Sequence, residues 1–393
     1  MNFAYTRGVF AVALASSALT CVAAPAMAQD ADSEAAVADS GDIIVTARRR
    51  QESLQDTPVA VTAINAAMIE TKAAVNIGDL AGTAPNLIIT NQNSGAAAAN
   101  LSIRGLTYAD VEKSQEPTVG VVVDGVFIGT STGQFFDFFD IEQIEVLRGP
   151  QGTLFGRNTI GGVINIRRTR PTGEFGVKAE VSYGKYDSLA TRAVVNIPVV
   201  PDIIAAKLFY FHNETDGWYK QFQDGRSRGF GNNENFGGSI LVTPNDSLDI
   251  LLTGEKQVQK ADPVVSNLTN STELFCGFIP AIECNRNNRG DLYTVFGDPN
   301  VSKYSAPAVT AEANLRLGGV TLTSVTGYRT STESQTQDFD ASSVDLYYVL
   351  RGQDYKQFSQ ELRAAGDLGF GLDYVVGAYY FSSSYDLLQY TRL

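Results

Sequence analysis

Apolar and polar residues alternate along most of the chain after Glu174. Between Phe175 and Tyr183 every second residue is apolar or aromatic, and mainly polar residues or glycine lie between them. This period of two is the pattern of a β-strand with one face against an apolar environment. Comparable runs of about ten residues follow, at residues 189–197, 203–212, 236–244, 247–257, 309–317, 320–330, 355–364 and 373–385. We therefore predict about nine strands between residues 174 and 393.

The alternating runs also indicate how the chain meets a membrane. After residue 28 no apolar stretch approaches the roughly 20 residues that a membrane helix needs. A closed β-barrel is the other structure that crosses a bilayer. Alternating strands of about ten residues, joined by short turns and long polar loops, are typical of bacterial outer-membrane barrels. A soluble β-sandwich has the same periodicity, so the pattern alone leaves that alternative open.

The region before these strands has a mixed pattern, which predicts an α/β domain over residues 51–171. Asn65 is placed to cap a short helix that runs to Thr71. Residues 119–129 read as two strands joined by Asp124 and Gly125, which favour a type I′ hairpin. The other predicted elements are strands at 59–64, 101–106, 144–147 and 163–166, a helix at 77–84 and an aromatic cluster at 135–139.

Five glycines lie between the strands at 144–147 and 163–166, and such a segment could cradle a phosphate. A P-loop requires Lys and then Ser or Thr after its last glycine. Here Gly161 is followed by Gly162 and Val163. A dinucleotide-binding turn would open a helix, whereas residues 163–166 have a strand pattern. The glycines therefore predict a series of tight turns rather than a nucleotide site.

The N-terminus has the features of an export signal. Arg7 is followed by an uncharged apolar run at residues 8–24, and Ala26-Met27-Ala28 is a cleavage motif. We predict a signal peptide at residues 1–28 and a disordered acidic tail within residues 29–50. A membrane anchor is the alternative, although the run is short and rich in alanine. Cleavage would leave Cys276 and Cys284, an even count that favours a disulfide over a metal site in an exported chain.

Composition excludes several functions. The formal charge of −13 argues against a nucleic-acid partner, which requires a basic face. The single histidine and the absence of Ser-His-Asp, HExxH and CxxC arrangements predict a protein that is not an enzyme, and no cofactor is indicated. The 17 tyrosines, 21 phenylalanines and 36 glycines suit a β-rich membrane protein.

Four motifs in one order resemble the plug domain of TonB-dependent outer-membrane receptors. They are Ile-Arg-Gly at 103–105, Val-Asp-Gly at 123–125, Glu-Val-Leu-Arg-Gly-Pro at 145–150 and Gly-Gly-Val-Ile-Asn-Ile at 161–166. The resemblance implies a mixed α/β plug followed by an antiparallel transmembrane β-barrel of about 22 strands. It also implies location in the cell outer membrane, contact with outer-membrane lipids and a monomeric protein.

Residues 42–47 resemble the TonB box of that family. Asp42, Ile43, Ile44, Val45, Thr46 and Ala47 form an extended, β-branched segment between the acidic tail and the run Arg48-Arg49-Arg50. Many buried strands look alike, so the position of this segment ahead of a plug is what gives the resemblance weight. An exposed strand of this kind is suited to pairing with the sheet edge of a partner. The resemblance identifies that partner as the energy-coupling protein TonB.

The resemblance further implies active uptake of a scarce small-molecule ligand, most typically a ferric siderophore. Arg104 and Arg148 match plug arginines that, in the family, pair with barrel glutamates and lock the plug. A buried arginine requires a carboxylate partner, and Glu361 is our candidate. The alternative for both arginines is a local contact with backbone carbonyls in the turns. Other candidate functions are a non-transporting structural or adhesive outer-membrane protein and a non-functional truncated receptor.

The size of the predicted barrel conflicts with the size of the predicted plug. The interior of an eight-stranded barrel is filled by its own side chains. About nine strands therefore cannot enclose a folded domain of more than about 100 residues. We accordingly expect a partial receptor, with under half of the family's strands and two open sheet edges.

Overall fold

The computed structural model describes residues 43–50, 52–72, 74–91, 97–108, 116–135, 140–262, 265–369 and 372–393. The predicted signal peptide, the acidic tail up to Asp42 and most of the predicted aromatic cluster lie outside these residues. Within the described ranges, no helix is both long and apolar enough to cross a bilayer.

The region that resembles a plug, called the plug region below, is built around a small mixed sheet. Its strands are β1 (Ile44–Val45), β2 (Glu52–Ser53), β3 (Val61–Asn65), β4 (Leu87–Asn91), β5 (Ala99–Ile103), β6 (Val119–Val123), β7 (Val126–Phe127), β8 (Ile141–Arg148) and β9 (Gly162–Arg168). The helices are α1 (Ala66–Thr71), α2 (Gly152–Phe155) and a 3-10 turn at Ile77–Leu80. The main sheet has the order β3-β8-β9-β6-β7, in which only β6 and β9 are parallel.

Local sequence accounts for several of these boundaries. The Asn65 side chain accepts a hydrogen bond from the Met68 N–H, so α1 begins where the sequence predicts. The hairpin prediction is confirmed, because Asp124 and Gly125 both have positive φ, at 47° and 82°. The strand predicted for residues 101–106 ends at Ile103, because Arg104 turns into the left-handed region with φ of 56°. The helix predicted for 77–84 is only the 3-10 turn, since Ala81 already has non-helical angles.

The apolar runs of the sequence form the core of the plug region. Ile64, Ile103, Ile144, Ile164 and Ile166 are completely buried in one cluster around the central strands. Gly162 is required here, because a Cβ at this position would lie 2.3 Å from the Leu147 carbonyl oxygen. The glycine-rich segment thus lets β9 pack closely on β8, which confirms the prediction of tight turns.

The second part of the structure is one sheet of nine strands. They are β10 (Gly176–Gly184), β11 (Ser188–Val200), β12 (Ile204–Thr215), β15 (Gly231–Asn245), β16 (Leu248–Ala261), β18 (Val301–Leu317), β19 (Val320–Asp338), β20 (Tyr348–Asp367) and β21 (Asp373–Arg392). They pair antiparallel in this order, so the predicted count of nine is confirmed. In the loops, β13 (Tyr219–Gln221), β14 (Ser227–Arg228) and β17 (Thr294–Val295) form a small separate sheet. Short 3-10 turns occur at Leu274–Gly277, Ala281–Glu283 and Asp291–Tyr293.

Most of the nine strands are longer than predicted. β20 and β21 have 20 residues each, whereas the alternating pattern indicates about ten. The added residues of β18, β19 and β20 lie at the end where the long loops 262–300 and 339–347 connect them. At this end both faces of the sheet carry polar residues, so hydrophobic alternation gives no signal. In outer-membrane barrels the long loops are extracellular and the short turns are periplasmic.

The outward face of the sheet carries an exposed apolar band. Its residues include Ile250, Leu252, Val309, Leu322, Leu362 and Val376, all at least one-third exposed. Tyr328 and Phe358 face each other across β19 and β20 at the extracellular border of the band. An apolar band with aromatic residues at its border is the lipid-facing surface of an outer-membrane barrel. In the described sheet, β10 and β21 are edges, so the sheet does not close on itself.

Candidate functional site

The segment predicted as a TonB box is folded into the plug region. Ile44 and Val45 form β1, which pairs antiparallel with Glu52 and Ser53 of β2. Val45 and Ala47 are each only 1% exposed, whereas Ile43 and Ile44 remain exposed. Asp42 lies outside the described residues. The sequence predicts an exposed strand, and the structure instead has two of the five described side chains of this segment, Val45 and Ala47, in the core.

A buried carboxylate holds the centre of this segment. Glu145 in β8 is 1% exposed, and its Oε1 accepts hydrogen bonds from the Thr46 N–H at 2.5 Å and the Thr46 hydroxyl at 3.0 Å. The Asn165 amide in β9 donates to Glu145 Oε2 at 3.1 Å and to the Thr46 Oγ1 at 3.2 Å. The Gln143 amide donates to the Ile44 carbonyl at 3.0 Å. Polar side chains of β8 and β9 therefore provide hydrogen-bond partners for the backbone and the Thr46 side chain of the box segment.

Arg49 connects the same segment to the nine-stranded sheet. Its φ of 62° turns the chain two residues after the box, and its N–H donates to the Thr46 carbonyl at 2.9 Å. The guanidinium lies over the Phe155 ring, 4.3 Å from its centroid, and Nη2 is 3.4 Å from Oε2 of Glu361 in β20. Burial lowers the pKa of Arg49, and the Glu361 carboxylate partly opposes that shift. The end of the box is thus ion-paired to the nine-stranded sheet, which is called the barrel wall below.

The structure gives Glu361 a different arginine from the two that the sequence suggests. Glu361 pairs with Arg49 and, at 2.7 Å, with Arg363 Nη1, rather than with Arg104 or Arg148. Arg104 has left-handed backbone angles. Its Nη1 lies close to Gly149, 2.9 Å from the position that a Cβ of this glycine would occupy. The Arg148 N–H donates to the Ala60 carbonyl at 2.9 Å, while its buried Nε has no hydrogen-bond partner. The role of both arginines as a latch stays a prediction.

A second ion-pair network between the plug region and the sheet centres on Arg168. Its Nε donates to Oδ2 of Asp124 at 2.6 Å, and its Nη1 donates to Oε2 of Glu255 in β16 at 2.8 Å. Arg329 in β19 lies 3.7 Å from the other oxygen of Glu255. Burial disfavours the charged form of Arg168, but Asp124 and Glu255 outweigh it and raise the pKa of the guanidinium. The plug hairpin and β16 therefore share the Arg168 cation, and Arg329 of β19 adds a second cation to the network.

Further ion pairs lie at the junction of the plug region and the first wall strands. Lys207 in β12 is 2% exposed and lies 2.5 Å from Oδ2 of Asp140. Arg170 and Arg316 both pair with Asp249 at the periplasmic start of β16, at 2.7 and 2.5 Å. A cavity of about 390 Å³ is lined by Arg170 and Arg316 and also by Thr46 and Arg49. The box segment thus borders open space at the periplasmic end of the junction.

A neutral clamp holds the free edge of the plug sheet. The Gln357 side chain of β20 donates from Nε2 to the Phe127 carbonyl at 2.7 Å and accepts at Oε1 from the Gly129 N–H at 3.1 Å. The Tyr355 hydroxyl donates to the same Oε1 at 3.1 Å. This two-point contact has the donor and acceptor pattern of a neighbouring strand. Gln357 therefore pairs with the β7 edge as a strand would.

Buried carboxylates also organise the extracellular loops. Glu283 accepts from the Ser343 N–H at 2.7 Å, and Asp262 accepts from Arg228 Nε at 2.8 Å. Cys276 and Cys284 are joined by a disulfide within the same group of loops. Burial, together with the neighbouring Asp340, raises the pKa of Asp338 to about 6. The side of the molecule that would meet a ligand is therefore built on buried polar contacts.

The sequence gives a partial signal for the site residues that our predictions missed. Glu145 and Asn165 are polar residues inside otherwise apolar strands, a pattern that indicates a buried polar contact. Arg168 belongs to a basic cluster at the end of β9. Gln357 has no local signal, because its partners, Phe127 and Gly129, are more than 200 residues away in the chain.

Comparison with known proteins agrees with this architecture. Residues 53–163 match the family model described as the TonB-dependent Receptor Plug Domain. Residues 53–163 thus belong to the plug-domain family of TonB-dependent receptors. The fold and the family resemblance predicted from the sequence are thereby confirmed, and so is location in the bacterial outer membrane.

Two curated receptors are similar to part of this chain. The vitamin B12 transporter BtuB of Vibrio vulnificus is 28% identical over 183 residues, which cover 45% of this chain and 28% of that protein. The pesticin receptor of Yersinia pestis is 27% identical over 189 residues, which cover 48% and 27%. The chain therefore spans little more than a quarter of the length of these curated relatives.

Two solved structures share the fold over most of the chain. The ferric yersiniabactin uptake receptor FyuA of Yersinia pestis superposes with a TM-score of 0.72 at 20% identity, covering 85% of this chain and 50% of FyuA. A ferripyoverdine-bound receptor FpvA of Pseudomonas aeruginosa gives 0.71 at 16% identity, covering 90% and 46%. The chain thus corresponds to about half of each of these receptors.

Proposed function

We propose that this receptor takes up a ferric siderophore, or a similarly scarce ligand, by TonB-dependent active transport across the outer membrane. The ligand binds at the extracellular loops and the plug region shifts. The box at residues 42–47 then leaves the plug region and pairs with TonB as an added strand. Energy from the inner membrane moves the plug and opens a path. In this scheme residues 1–28 are removed on export, residues 51–171 are the plug, and residues 174–393 belong to the barrel of a monomeric receptor.

The conformation of the box segment carries this proposal. It lies at the periplasmic end, where TonB would reach it, since Arg50 pairs at 2.5 Å with Asp373 at the short-turn end of β21. Its pairing groups are occupied by β2, Glu145 and Gln143. Exposing a buried Val and Ala would cost roughly 2–3 kcal/mol from lost apolar burial alone. A box that is held until ligand binding or an applied force releases it suits an energy-coupled receptor.

The names of similar solved structures support this ligand class. FyuA is named as a ferric yersiniabactin uptake receptor, and the FpvA structure contains pyoverdine and iron. Other similar structures include the siderophore receptor PiuA and the ferric preacinetobactin receptor BauA, both from Acinetobacter baumannii. A ferric siderophore is also consistent with a chain that has a single histidine, because iron arrives already chelated by the siderophore.

Proline substitution in the box tests the uptake function. Ile44→Pro removes one backbone N–H from β1, whereas Ile44→Ala, the matched control, keeps the whole backbone and removes only an exposed side chain. Cells that depend on this receptor should bind radiolabelled ferric siderophore normally with either variant. Energised uptake should disappear with Ile44→Pro alone. Equal uptake by both variants would favour the competing hypothesis, a structural or adhesive protein that does not transport.

A further inference from the structure

The cavity of about 390 Å³ at the periplasmic end of the junction is lined mainly by cations. Seven arginines line it, whereas the acidic residues among its described lining are Asp124 and Glu312. Such a group stands out in a chain whose formal charge is −13. The arginines come from the segment after the box (Arg49, Arg50), from the end of β9 and just beyond it (Arg167, Arg168, Arg170) and from β18 and β20 (Arg316, Arg363). The box segment, the plug region and the barrel wall therefore all bring positive charge to one space.

The carboxylates around the cavity do not match these arginines one to one. Glu361 is shared by Arg49 at 3.4 Å and by Arg363 at 2.7 Å. Asp249 is shared in the same way by Arg170 at 2.7 Å and by Arg316 at 2.5 Å. An ionised carboxylate has a single negative charge, whereas an arginine in a protein is always protonated. Each shared carboxylate therefore leaves one of its two guanidinium charges without a close counter-charge.

The neighbouring acidic residues compensate this charge only in part. Glu312 lies 4.0 Å from Arg170 and already accepts a hydrogen bond from the Asn314 amide at 2.7 Å. Glu142 lies 4.0 Å from Arg167 and is half exposed, and an ion pair of this kind contributes little. Within the described part of the chain, the buried Nε of Arg170 has no hydrogen-bond partner. The cavity thus keeps guanidinium donors and positive charge that carboxylates of the protein do not fully engage.

We propose that this cavity binds a small oxyanion where the box segment, the plug region and the barrel wall meet. A guanidinium presents a planar fork of donors that matches the oxygens of carboxylates and phosphates, so arginines suit such a site better than lysines. The volume of about 390 Å³ lies within the range of small-molecule sites. Arg49 comes from the box side, Arg167 from the plug region and Arg363 from the wall. One anion among them connects all three parts.

Two sources can supply an oxyanion at this end of the molecule. One is a free periplasmic anion such as phosphate. The other is the anionic face of a metal chelate on its way out of the receptor, and this source rests on the proposed function. A tris-catecholate chelate of a trivalent metal has a net negative charge, whereas a tris-hydroxamate chelate is neutral. Of the two kinds of chelate, the cavity therefore favours the tris-catecholate.

A fluorine label in the cavity tests both sources on the full chain. Thr321 lines the cavity, and Thr321→Cys provides a free thiol for a trifluoromethyl label, since Cys276 and Cys284 are joined to each other. The protein is extracted from outer membranes in a mild detergent and titrated with inorganic phosphate, gallium tris-catecholate and gallium tris-hydroxamate. Gallium replaces iron because it is diamagnetic and leaves the fluorine signal sharp. The measurement needs neither TonB nor an energised membrane, so its failure is distinguishable from a failure of uptake.

Substitution of Arg167 separates anion binding from the stability of the junction, because this arginine lies outside the buried ion-pair networks. We expect Arg167→Gln to weaken binding of the anion about tenfold, as the loss of a charged hydrogen-bond donor does. Arg167→Lys should weaken it less, because the charge remains and only the planar fork is lost. The matched control is Arg48→Gln, since Arg48 lies at the same end but does not line the cavity. It should bind like the unaltered protein.

The titrations also identify the source of the anion. A tighter response to gallium tris-catecholate than to phosphate supports a site for the departing chelate, and the reverse order supports a site for a free periplasmic anion. In both cases added salt should weaken the response, because the attraction is between charges. No response to either anion, an equal response to the neutral tris-hydroxamate chelate, or unchanged binding by Arg167→Gln would overturn the proposal.

Discussion

Arg49 and Glu361 join the segment predicted as a TonB box to strand β20 through an ion pair of 3.4 Å. The two residues are more than 300 positions apart in the chain, and both side chains are only 12% exposed. Arg49 lies two residues after the box segment and Glu361 belongs to β20. The pair therefore connects the box segment with one strand of the nine-stranded sheet.

Substitution of Glu361 should loosen the box. Glu361→Gln leaves Arg49 partly buried beside a neutral amide, at a cost of at most about 3 kcal/mol. The folded box would then open more often, which a cysteine at the buried position Ala47 reports through faster reaction with a periplasmic maleimide. The matched control is Arg48→Gln, because Arg48 is more exposed and its ion pair among the described residues is with nearby Glu52. Unchanged labelling with Glu361→Gln would contradict a restraining role for the pair.

Arg168 should contribute far more to plug retention than its neighbour Arg167. Arg168→Gln leaves Asp124 without its cation and Glu255 with only the more distant Arg329. We expect a loss of about 3–5 kcal/mol. Arg167 is one-third exposed and lies 4.0 Å from Glu142, so Arg167→Gln should cost less than about 1 kcal/mol. Urea unfolding followed by limited proteolysis of the plug region measures the difference. Similar effects from the two substitutions would show that the Arg168 network is not the stronger anchor.

The Gln357 clamp should act independently of salt. Gln357→Leu keeps the size of the side chain but leaves the Phe127 carbonyl and the Gly129 N–H unpaired, at about 1–3 kcal/mol. Hydrogen exchange at residues 126–130 should become faster, and because the contact is uncharged the change should be the same at low and high ionic strength. Gln360→Leu is the control, since Gln360 bonds to Thr326 and Ser324 within the wall. An effect confined to low salt would rule out a neutral clamp.

The extracellular loops should be more stable at mildly acidic pH than at neutral pH. The pKa of Asp338 is raised to about 6 by burial and by Asp340, so the folded loops hold this proton more tightly than the unfolded chain does. Stability therefore rises as pH falls from about 6 towards 4, by at most about 3 kcal/mol, and is lost again above pH 6.

Protease cleavage of the loops between pH 5 and 7.5, corrected for the pH profile of the protease itself, measures this dependence. Asp338→Asn should flatten it, because the amide does not titrate. Asp216→Asn, at an exposed loop position, should leave it intact. A pH dependence that survives in Asp338→Asn would assign the effect to another group.

The sequence was most informative where a residue's structural role is local. The Asn65 cap, the Asp124-Gly125 hairpin and the tight turns around Gly162 depend on backbone preferences within a few residues, and all are found as predicted. The helix expected at 77–84 failed because the Asn76 capping box supports only one turn before Ala81 leaves the helical region. The number of strands could be predicted from the alternating apolar residues of the band. The length of the strands could not, because their extracellular ends are polar on both faces.

The pairing of charges across the junction could not be read from the sequence. Arg104 and Arg148 were reasonable candidates, yet Arg49 and Arg168 are the arginines that reach the wall carboxylates Glu361 and Glu255. An ion pair depends on where two distant side chains arrive in space, and the sheet offers other acidic residues besides Glu361 and Glu255, such as Glu312, Glu333 and Asp354. Likewise, the sequence could mark residues 42–47 as a strand but not whether that strand is free.

The sequence by itself determined the class of this protein. The period-two runs, the ordered plug motifs and the glycine turns specify a plug followed by membrane strands. Each of these patterns depends on local geometry and on the contrast between apolar and polar faces. Only the tertiary structure decided that the box is held in place, by Glu145 on one side and by Arg49 and Glu361 on the other. It also brought Arg49, Arg167 and Arg363 around one cavity. Those relationships depend on strand register and on how the plug region seats against the sheet, which no local pattern records.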